Sequence, residues 1–222
     1  MSTVLVIGAS RGIGLEFVGQ YREAGDRVIA TARDEHGLAR LRELGAEALR
    51  IDVANPASVS GLAWQLDGEK IDTALYVAGV FPTGNALSPP TQEAFDQAMH
   101  VNLLGAMQVL PQVAPMVQAA GGRFAFLSSA MAQIAGVSDS RGWLYRASKA
   151  ALNMAVAAAQ HDYPGAILVA LSPGWVRTDM GGASAPLTPE ASVAAMRATL
   201  ARLTPRDGGR FIDHEGRPFD GW

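Results

Sequence analysis

The sequence predicts an α/β fold in which helices cover both faces of one doubly wound parallel sheet of about seven strands. Short apolar runs alternate with helix-length segments along the 222 residues. The runs are rich in Val, Ile and Leu without polar alternation, which is typical of strands buried on both faces. A glycine-rich turn joins the first run to the first helix. Parallel strands connected by right-handed helical crossovers account for all three observations.

Turn and cap residues mark the elements in the first half of the chain. Asp34 and Asn55 are predicted helix N-caps, and Gly45 ends the helix that follows Asp34. Pro56 suits the first turn of the next helix. The predicted strands are residues 3–7, 27–31, 46–51 and 71–77, and the first helix covers residues 12–24.

The second half continues the same alternation. A long helical stretch covers residues 91–120, and we expect Pro111 and Pro115 to end or kink it. Thr188 and Pro189 open the last helix as cap and first residue. Strands are predicted at 123–127, 166–171 and 210–212, a helix at 143–160, and a loop at 175–186. Without an internal repeat or a linker, residues 1–222 are predicted to form a single domain.

Composition narrows the classes of partner. Hydrophobic residues make up 49% of the chain, the formal net charge is −3, and the sequence pI is about 5.8. This charge gives no basic footprint for nucleic acid, and no apolar run reaches the ~18 residues of a membrane span. The absence of cysteine excludes thiolate metal sites and fits a reducing compartment. We therefore expect a cytoplasmic protein with a small-molecule partner, no secretory signal and no metal.

The turn after the first strand carries Gly8, Gly12 and Gly14. A strand, a glycine turn and a helix place free backbone N–H groups and a positive helix end against a phosphate. Gly8 permits the tight turn, Gly12 lets a pyrophosphate approach, and Gly14 lets helix and strand pack closely. The spacing G-x-x-x-G-x-G differs from the common G-x-G-x-x-G fingerprint. The alternatives are a dinucleotide site in a Rossmann-type fold and an ordinary glycine-rich turn.

Several further features follow predicted strands directly. Ligands in open α/β sheets bind outside the carboxyl ends of the strands, so these features are expected to converge on one edge. They are residues 8–14, Arg33, Asp52, Ala78, Gly79, Ser129, Pro173 and Gly174.

Tyr145 and Lys149 lie four residues apart on a predicted helix and so share one face. A phenol with a pKa near ~10 is a poor catalyst at neutral pH. A neighbouring ammonium and an oxidised nicotinamide would lower that pKa, and Lys149 could also bind ribose hydroxyls. The alternative is a half-buried ring beside a solvated cation.

Two neutral polar residues complete the candidate set. Ser129 could polarise a carbonyl oxygen by donating a hydrogen bond, whereas one of Ser128 and Ser129 is expected to serve only as a cap or turn residue. Asn102 is polar within an apolar helical segment, where its helix propensity is unfavourable. It is predicted either to satisfy a buried backbone group or to hold a water that feeds protons to Lys149.

Cofactor choice depends on the end of the second strand. An acidic residue there would bind a ribose 2′-hydroxyl and repel a 2′-phosphate, but residues 31–33 are Thr-Ala-Arg. Arg11 lies within the glycine turn, and with Arg33 it would favour a phosphate dianion. NADP(H) is therefore predicted, and NAD(H) is the alternative if Arg33 simply faces solvent.

The combination of motifs resembles the short-chain dehydrogenase/reductase family, and the stretches YRASKAALNM and PGWVRTDMGG resemble its C-factor-like and sniffer-like carbonyl reductase branch. The motifs run in the family's order through the chain: G-x-x-x-G-I-G at residues 8–14, Asp52-Val53, Ala78-Gly79, Asn102, Ser129, Tyr145-x-x-x-Lys149 and Pro173-Gly174.

The resemblance implies a role for each matched residue. Tyr145 would be the general acid–base, Lys149 would bind ribose and lower the tyrosine pKa, and Ser129 would orient the carbonyl. Asn102 would complete a proton relay, and Asp52 would contact adenine. The remaining cofactor contacts would come from Gly8, Ser10, Arg11, Gly12, Ile13, Gly14, Arg33, Val53, Ala78, Gly79, Pro173, Gly174, Val176 and Thr178.

Three departures from the family pattern stand out. Tyr76-Val77 replaces its paired asparagines before Ala78-Gly79, which weakens the expected support on the adenosine side. Ser129 and Tyr145 are 16 residues apart, so the insert at residues 138–142 is expected to shape the substrate pocket. The segment after Gly174 is short, which predicts a small lid and an open cleft.

These expectations favour an NADP(H)-dependent oxidoreductase that reduces a carbonyl or oxidises an alcohol. The alternative is a cofactor-binding signalling protein of the C-factor type with little or no turnover. A homodimer or homotetramer is expected through helices 91–120 and 143–160. Substrate identity and reaction direction do not follow, although Met131, Trp143, Trp175 and Met180 could line an apolar pocket.

Overall fold

The computed structural model describes residues 1–222 and contains one sheet of seven parallel strands. Their spatial order is β3-β2-β1-β4-β5-β6-β7, so the order reverses beside β1. This confirms the predicted doubly wound α/β fold. The strands are β1 (Thr3–Ile7), β2 (Arg27–Ala32), β3 (Glu47–Arg50), β4 (Thr73–Tyr76), β5 (Arg123–Leu127), β6 (Ile167–Ser172) and β7 (Phe211–Asp213).

Eight α-helices connect these strands. They are α1 (Gly12–Glu23), α2 (Glu35–Glu43), α3 (Pro56–Val59), α4 (Leu62–Gln65), α5 (Gln92–Met99), α6 (Gly105–Ala119), α7 (Trp143–Ala159) and α8 (Pro189–Arg202). A π-helical segment, His100–Leu104, joins α5 to α6, and 3₁₀ turns cover Ala130–Ala132, Gln160–Asp162 and Pro205–Asp207. No helix is both long enough and apolar enough to cross a membrane.

The apolar core divides into two layers of nearly equal size, one on each face of the sheet. Leu5 and Ile7 of β1 belong to a cluster of 23 buried residues that includes α6 and α7. Val4 and Val6 belong to a cluster of 22 that includes α1, α2 and α8. Because successive side chains of a strand point to opposite faces, β1 serves both layers. This explains its uninterrupted apolar sequence.

The predicted N-caps form as expected. Asp34 Oδ1 accepts from Gly37 N at 2.8 Å, Asn55 Oδ1 from Ala57 N at 3.0 Å, and Thr188 Oγ1 from Ala191 N at 3.1 Å. Asp34 and Asn55 start helices soon after β2 and β3, and Thr188 starts α8 after the loop that follows β6. The caps therefore define where the connections at the carboxyl ends of these strands end.

Of the two outcomes expected for Pro111 and Pro115, a helix end is wrong, because α6 runs through both to Ala119; a kink stays a prediction. A proline removes one backbone donor and leaves the carbonyl four residues earlier without its partner. Both prolines lie on the exposed side of α6, where water can satisfy that carbonyl.

Candidate active site

The glycine turn forms a bare backbone cradle at the end of β1. Gly8 and Gly12 have φ angles of +86° and +54°, which favour glycine, and a Cβ at Gly14 would lie 2.5 Å from the Gly8 carbonyl oxygen. Arg11 caps α1 without a side-chain hydrogen bond, so the first N–H groups of α1 have no side-chain partner. The turn therefore fits a pyrophosphate held by backbone donors.

The end of β4 closes one side of this cradle. A Cβ at Gly8 would lie 2.7 Å from the N and Cα atoms of Ala78. The backbone N–H groups of Val77 and Ala78 both donate to the Ile7 carbonyl oxygen, at 2.8 and 3.1 Å. Gly8 thus allows β1 and β4 to bring Ala78 and Gly79 against the turn.

The charged candidates lie in the glycine turn and after β2 and β3. Arg11 pairs with Asp179 at 3.0 Å, and both side chains are exposed. Arg33 is 71% exposed, and its closest carboxylate, Asp34, lies 4.0 Å away. Asp52 follows β3, and its Oδ1 accepts from Ala54 N at 3.0 Å.

Ser10 lies in the glycine turn, next to Arg11 in the sequence. A Cβ at Gly37, in the first turn of α2, would lie 2.8 Å from Ser10 Cβ. The glycine turn and the start of α2 therefore adjoin. Ile13 is half-buried beside the cradle, and Val53 is buried after β3.

The loop after β6 returns to the glycine turn. The Pro173 carbonyl accepts from Ser192 Oγ at 2.7 Å, and Gly174 has a φ of +79°. Val176 forms a bridge with Leu187, which stiffens the base of this loop. A Cβ at Gly12 would lie 3.4 Å from the Thr178 methyl. Thr178 of this loop therefore lies against the glycine turn.

Tyr145 lies in the first turns of α7 and is only 7% exposed. Burial raises the pKa of its phenol to about 12, and the Ser129 hydroxyl opposes that rise. The predicted lowering of this pKa by Lys149 does not occur in the protein alone, because desolvation disfavours the phenolate. The phenol is therefore a protonated donor at neutral pH.

Lys149 is 3% exposed and donates from Nζ to the Leu127 carbonyl oxygen at 2.8 Å. Burial lowers its pKa to about 7. The Nζ atom lies 5.9 Å from the centre of the Tyr145 ring, and 3.4 Å from where a Cβ of Gly79 would be. The shared helix face predicted from the spacing of four residues is therefore present, and glycine at position 79 leaves room for the ammonium.

Asn102 lies in the π-helical segment and is fully buried. Its Oδ1 accepts from Val80 N at 2.8 Å, and its Nδ2 donates to the Val80 carbonyl at 3.0 Å and to Ser148 Oγ at 2.9 Å. The amide therefore satisfies a buried backbone pair, which was one of the two predicted roles. It also fixes the loop after Gly79 against α7.

The two adjacent serines after β5 make different contacts. Ser128 is buried and donates from Oγ to Asn153 Oδ1 at 2.6 Å, which ties β5 to α7. Ser129 caps the 3₁₀ turn, where its Oγ accepts from Met131 N at 3.2 Å, and it faces Tyr145. Ser128 is the structural serine, and Ser129 is the one available to a ligand.

Tyr76 explains one departure from the family pattern. It is fully buried at the end of β4, and its hydroxyl donates to the Val101 carbonyl of the π-helical segment at 2.7 Å. A Cβ at Gly105 would lie 2.6 Å from that hydroxyl, so glycine makes the space. Nothing in the local sequence pattern links Tyr76 to Gly105, which are distant in the chain.

Phe81 is a second site residue that the motifs do not reveal. Its ring centre lies 4.7 Å from that of Tyr145. A Cβ at Gly142 would lie 3.0 Å from Phe81 Cζ and 3.2 Å from Met131 Cε. Gly142 ends the insert at residues 138–142 and donates from its N–H to the Gly84 carbonyl at 2.8 Å. The insert therefore helps to wall the site.

The other candidate pocket residues lie nearer the surface. Trp143, Trp175 and Met180 are 37%, 56% and 47% exposed. Trp175 donates from Nε1 to the Gly181 carbonyl at 2.8 Å and so braces its own loop. These three apolar side chains are therefore accessible to solvent.

Comparisons with known proteins agree with this arrangement. The family model described as short chain dehydrogenase matches residues 2–186. The chain belongs to the short chain dehydrogenase family. It is 37% identical over 149 residues to C-signal of Myxococcus xanthus, a match that covers 66% of this chain and 90% of that one.

Two solved structures of this family are similar over their full lengths. The carbonyl reductase Sniffer of D. melanogaster has a TM-score of 0.92 at 26% identity, and the match covers 100% of both chains. The NADPH-bound carbonyl reductase from chicken fatty liver has a TM-score of 0.89 at 28% identity, covering 100% of this chain and 99% of that one. The protein is therefore an oxidoreductase of the short chain dehydrogenase family with the fold of its carbonyl reductases.

Proposed function

We propose that this short chain dehydrogenase is an NADP(H)-dependent carbonyl reductase. The observation that carries the proposal is the convergence of Ser129, Tyr145 and Lys149 at the same sheet edge as the glycine cradle. When bound there, the nicotinamide cofactor supplies a hydride to the carbonyl carbon or removes one from an alcohol carbon.

The buried phenol suits proton donation in the direction of reduction. Its pKa of about 12 keeps Tyr145 protonated at neutral pH, so the phenol would be ready to donate a proton to the oxygen of a carbonyl undergoing reduction. Tyr145 gives its proton to that oxygen, so the product is an alcohol and the phenolate remains. Ser129 donates a hydrogen bond to the same oxygen without giving up its proton, which holds the carbonyl in place.

Lys149 and Asn102 support the phenol. The pKa of Lys149, about 7, lets its amine carry a proton at little cost near neutral pH. We infer that it binds ribose hydroxyls and returns a proton towards Tyr145, with Asn102 holding the Gly79–Val80 loop on one side of this path.

The nucleotide contacts follow from the cradle. Residues 8–14 would hold the pyrophosphate, Asp52 and Val53 the adenine side, and Ala78 and Gly79 the ribose side. Pro173, Gly174, Val176 and Thr178 would bound the nicotinamide. Arg11 and Arg33 would bind a 2′-phosphate, since β2 ends without an acid, and the chicken carbonyl reductase was solved with NADPH. NAD(H) is the alternative.

The experiment is NADPH oxidation with a panel of aldehydes, ketones and quinones, using the protein and its Tyr145→Phe variant. We expect turnover with NADPH and a loss of about 10²- to 10⁴-fold in Tyr145→Phe, with NADPH binding retained by fluorescence titration. Retained turnover in Tyr145→Phe would refute the acid–base role. Tight NADPH binding with no turnover in the unmodified protein would instead support the signalling alternative.

A homodimer or homotetramer through α5–α7 stays a prediction, as do a single domain and a cytoplasmic location. Exposed apolar side chains on these helices and on the π-helical segment between α5 and α6 support this assembly, namely Phe95, Leu104, Met107 and Met154. Light scattering tests it, and a monomeric mass would refute it.

A further inference from the structure

The chain turns back on itself after β7. Asp213 N donates to the Arg217 carbonyl at 2.9 Å, and Ile212 forms an antiparallel bridge with Pro218. Phe219 N then donates to the Phe211 carbonyl at 3.0 Å. Residues 218–222, here called the return segment, therefore run antiparallel along β7.

Aromatic packing anchors the return segment. The Phe219 ring stacks on Phe211 with centres 4.1 Å apart and planes 12° apart. Trp222 meets Phe211 edge-on at 6.2 Å. Phe211 is fully buried and packs with Ala132 and Ala170, so the return segment shares a small apolar cluster with the turn after Ser129.

Two hydrogen bonds connect the return segment to the loop of residues 129–136, here called the serine loop. Gln133 Nε2 donates to the Asp220 carbonyl at 2.6 Å, and Ala135 N donates to the Gly221 carbonyl at 3.2 Å. Gly221 has a φ of +62°, and a Cβ there would lie 3.0 Å from Ala135 Cβ. The contact is close enough that only glycine fits it without a shift.

The serine loop sets the direction of the Ser129 hydroxyl. Its 3₁₀ turn presents Met131 N to Ser129 Oγ at 3.2 Å, and Ala130 N donates to Ser172 Oγ at 3.1 Å. Beyond Ala132, the contacts of Gln133 and Ala135 with the return segment hold the loop down. If the contacts of Gln133 and Ala135 with the return segment are lost, the serine loop can move, and the turn that orients Ser129 moves with it.

We propose that the return segment is a strap that positions Ser129 for the reaction, with Gln133 as the positioning residue that links the two. The catalytic part of this inference rests on the proposed function. The structural part, that the strap orders the turn at Ser129, does not.

The test uses Gln133→Met, which keeps the side-chain length and removes the amide. Gln118→Met is the matched control, because Gln118 Oε1 accepts from Gly165 N at 3.1 Å in a loop unrelated to Ser129. Hydrogen exchange should accelerate at both Ala135 N and Met131 N in Gln133→Met, and at neither in Gln118→Met. Acceleration at Ala135 alone, or at neither amide, would overturn the strap.

Kinetics then test the catalytic part. In Gln133→Met, kcat with a carbonyl substrate should fall about 3- to 10-fold, because the variant loses one hydrogen bond. The KM for NADPH should stay unchanged. The pH profile should shift upwards, since the Ser129 hydroxyl lowers the Tyr145 pKa. An unchanged kcat and pH profile, with Tyr145→Phe inactive, would refute the strap's catalytic role and leave the proposed function intact. If the unmodified protein has no turnover, the proposed function fails, and hydrogen exchange still decides whether the strap orders the turn.

Discussion

The two sides of the candidate site are built in opposite ways. The nucleotide side, residues 8–14 with Arg33, presents bare backbone and exposed arginines. The proton side, with Asn102, Tyr145 and Lys149, buries its polar side chains to 7% exposure or less. An anion can be held by N–H groups and solvated cations, whereas proton transfer needs groups whose pKa values are shifted by desolvation. Binding and chemistry should therefore be separable by substitution.

The largest expected effect is on the proton side. Lys149→Met removes the amine and keeps an apolar chain of similar length, so the fold should persist. We expect kcat/KM to fall about 10²- to 10⁴-fold, the range of proton-transfer contributions. Lys70→Met, a change at the other lysine of the chain, which is exposed, should have wild-type activity. Equal activity of the two variants would show that the buried amine is not used.

On the nucleotide side, Gly8→Ala tests the bare cradle. Its Cβ would lie 2.7 Å from Ala78 backbone atoms at a φ of +86°. We expect a loss of about 2–4 kcal/mol in the free energy of unfolding and weaker NADPH binding. Gly25→Ala is the control, because Gly25 has a φ of +83° with nothing within 4 Å. Similar losses in both variants would mean that the φ angle alone, and not the close approach, matters.

The pH dependence of stability tests the burial of Lys149. Its pKa is lowered from 10.5 to about 7 in the fold, so between these values the unfolded chain binds a proton that the folded one does not. Folding is then favoured as pH rises. The difference in unfolding free energy between the protein and Lys149→Met should change by about 2 kcal/mol between pH 7 and 9. Urea titrations at several pH values measure this difference. A difference that does not depend on pH would mean that the Lys149 amine is solvated in the folded protein.

The contrast between the two sides also explains what could be predicted from the sequence. The fold and the glycine turn follow from local patterns, since apolar runs, caps and glycine spacing act over a few residues. The pairing of Tyr145 with Lys149 is predictable because a helix places residues four apart on one face. The shared edge was predicted because all the strands are parallel.

What escaped prediction depends on contacts between distant segments. The fit of Gly105 against Tyr76, and of Phe81 against Tyr145, exists only once α6 and α7 have packed on the sheet. The rise in the Tyr145 pKa has the same origin, because burial is a property of the assembled core. The position of Pro111 and Pro115 within α6 has a related cause, because both lie on the solvent-exposed face that the packed helix presents.

A smaller effect is expected for cofactor choice. Arg33→Ala should lower the NADPH-to-NADH ratio of kcat/KM by about tenfold. This is the effect of losing one charge-assisted hydrogen bond to the 2′-phosphate that solvent partly screens. Arg206→Ala, an equal change at an exposed arginine near the end of α8, should leave the ratio unchanged. A ratio that Arg33→Ala leaves unaltered would mean that the side chain faces solvent in the complex.

The smallest effect concerns Asp179, which pairs with Arg11 at 3.0 Å across the mouth of the cradle. The ion pair is exposed and therefore weak. The Asp179 carboxylate nevertheless competes with a phosphate for the Arg11 guanidinium. Asp179→Asn should tighten NADPH binding about two- to fivefold at low salt, and the gain should shrink as salt screens the charges. Weaker binding in Asp179→Asn would reverse the interpretation, because the pair would then hold the loop over the nucleotide rather than compete with it. Fluorescence titration at two salt concentrations distinguishes the two.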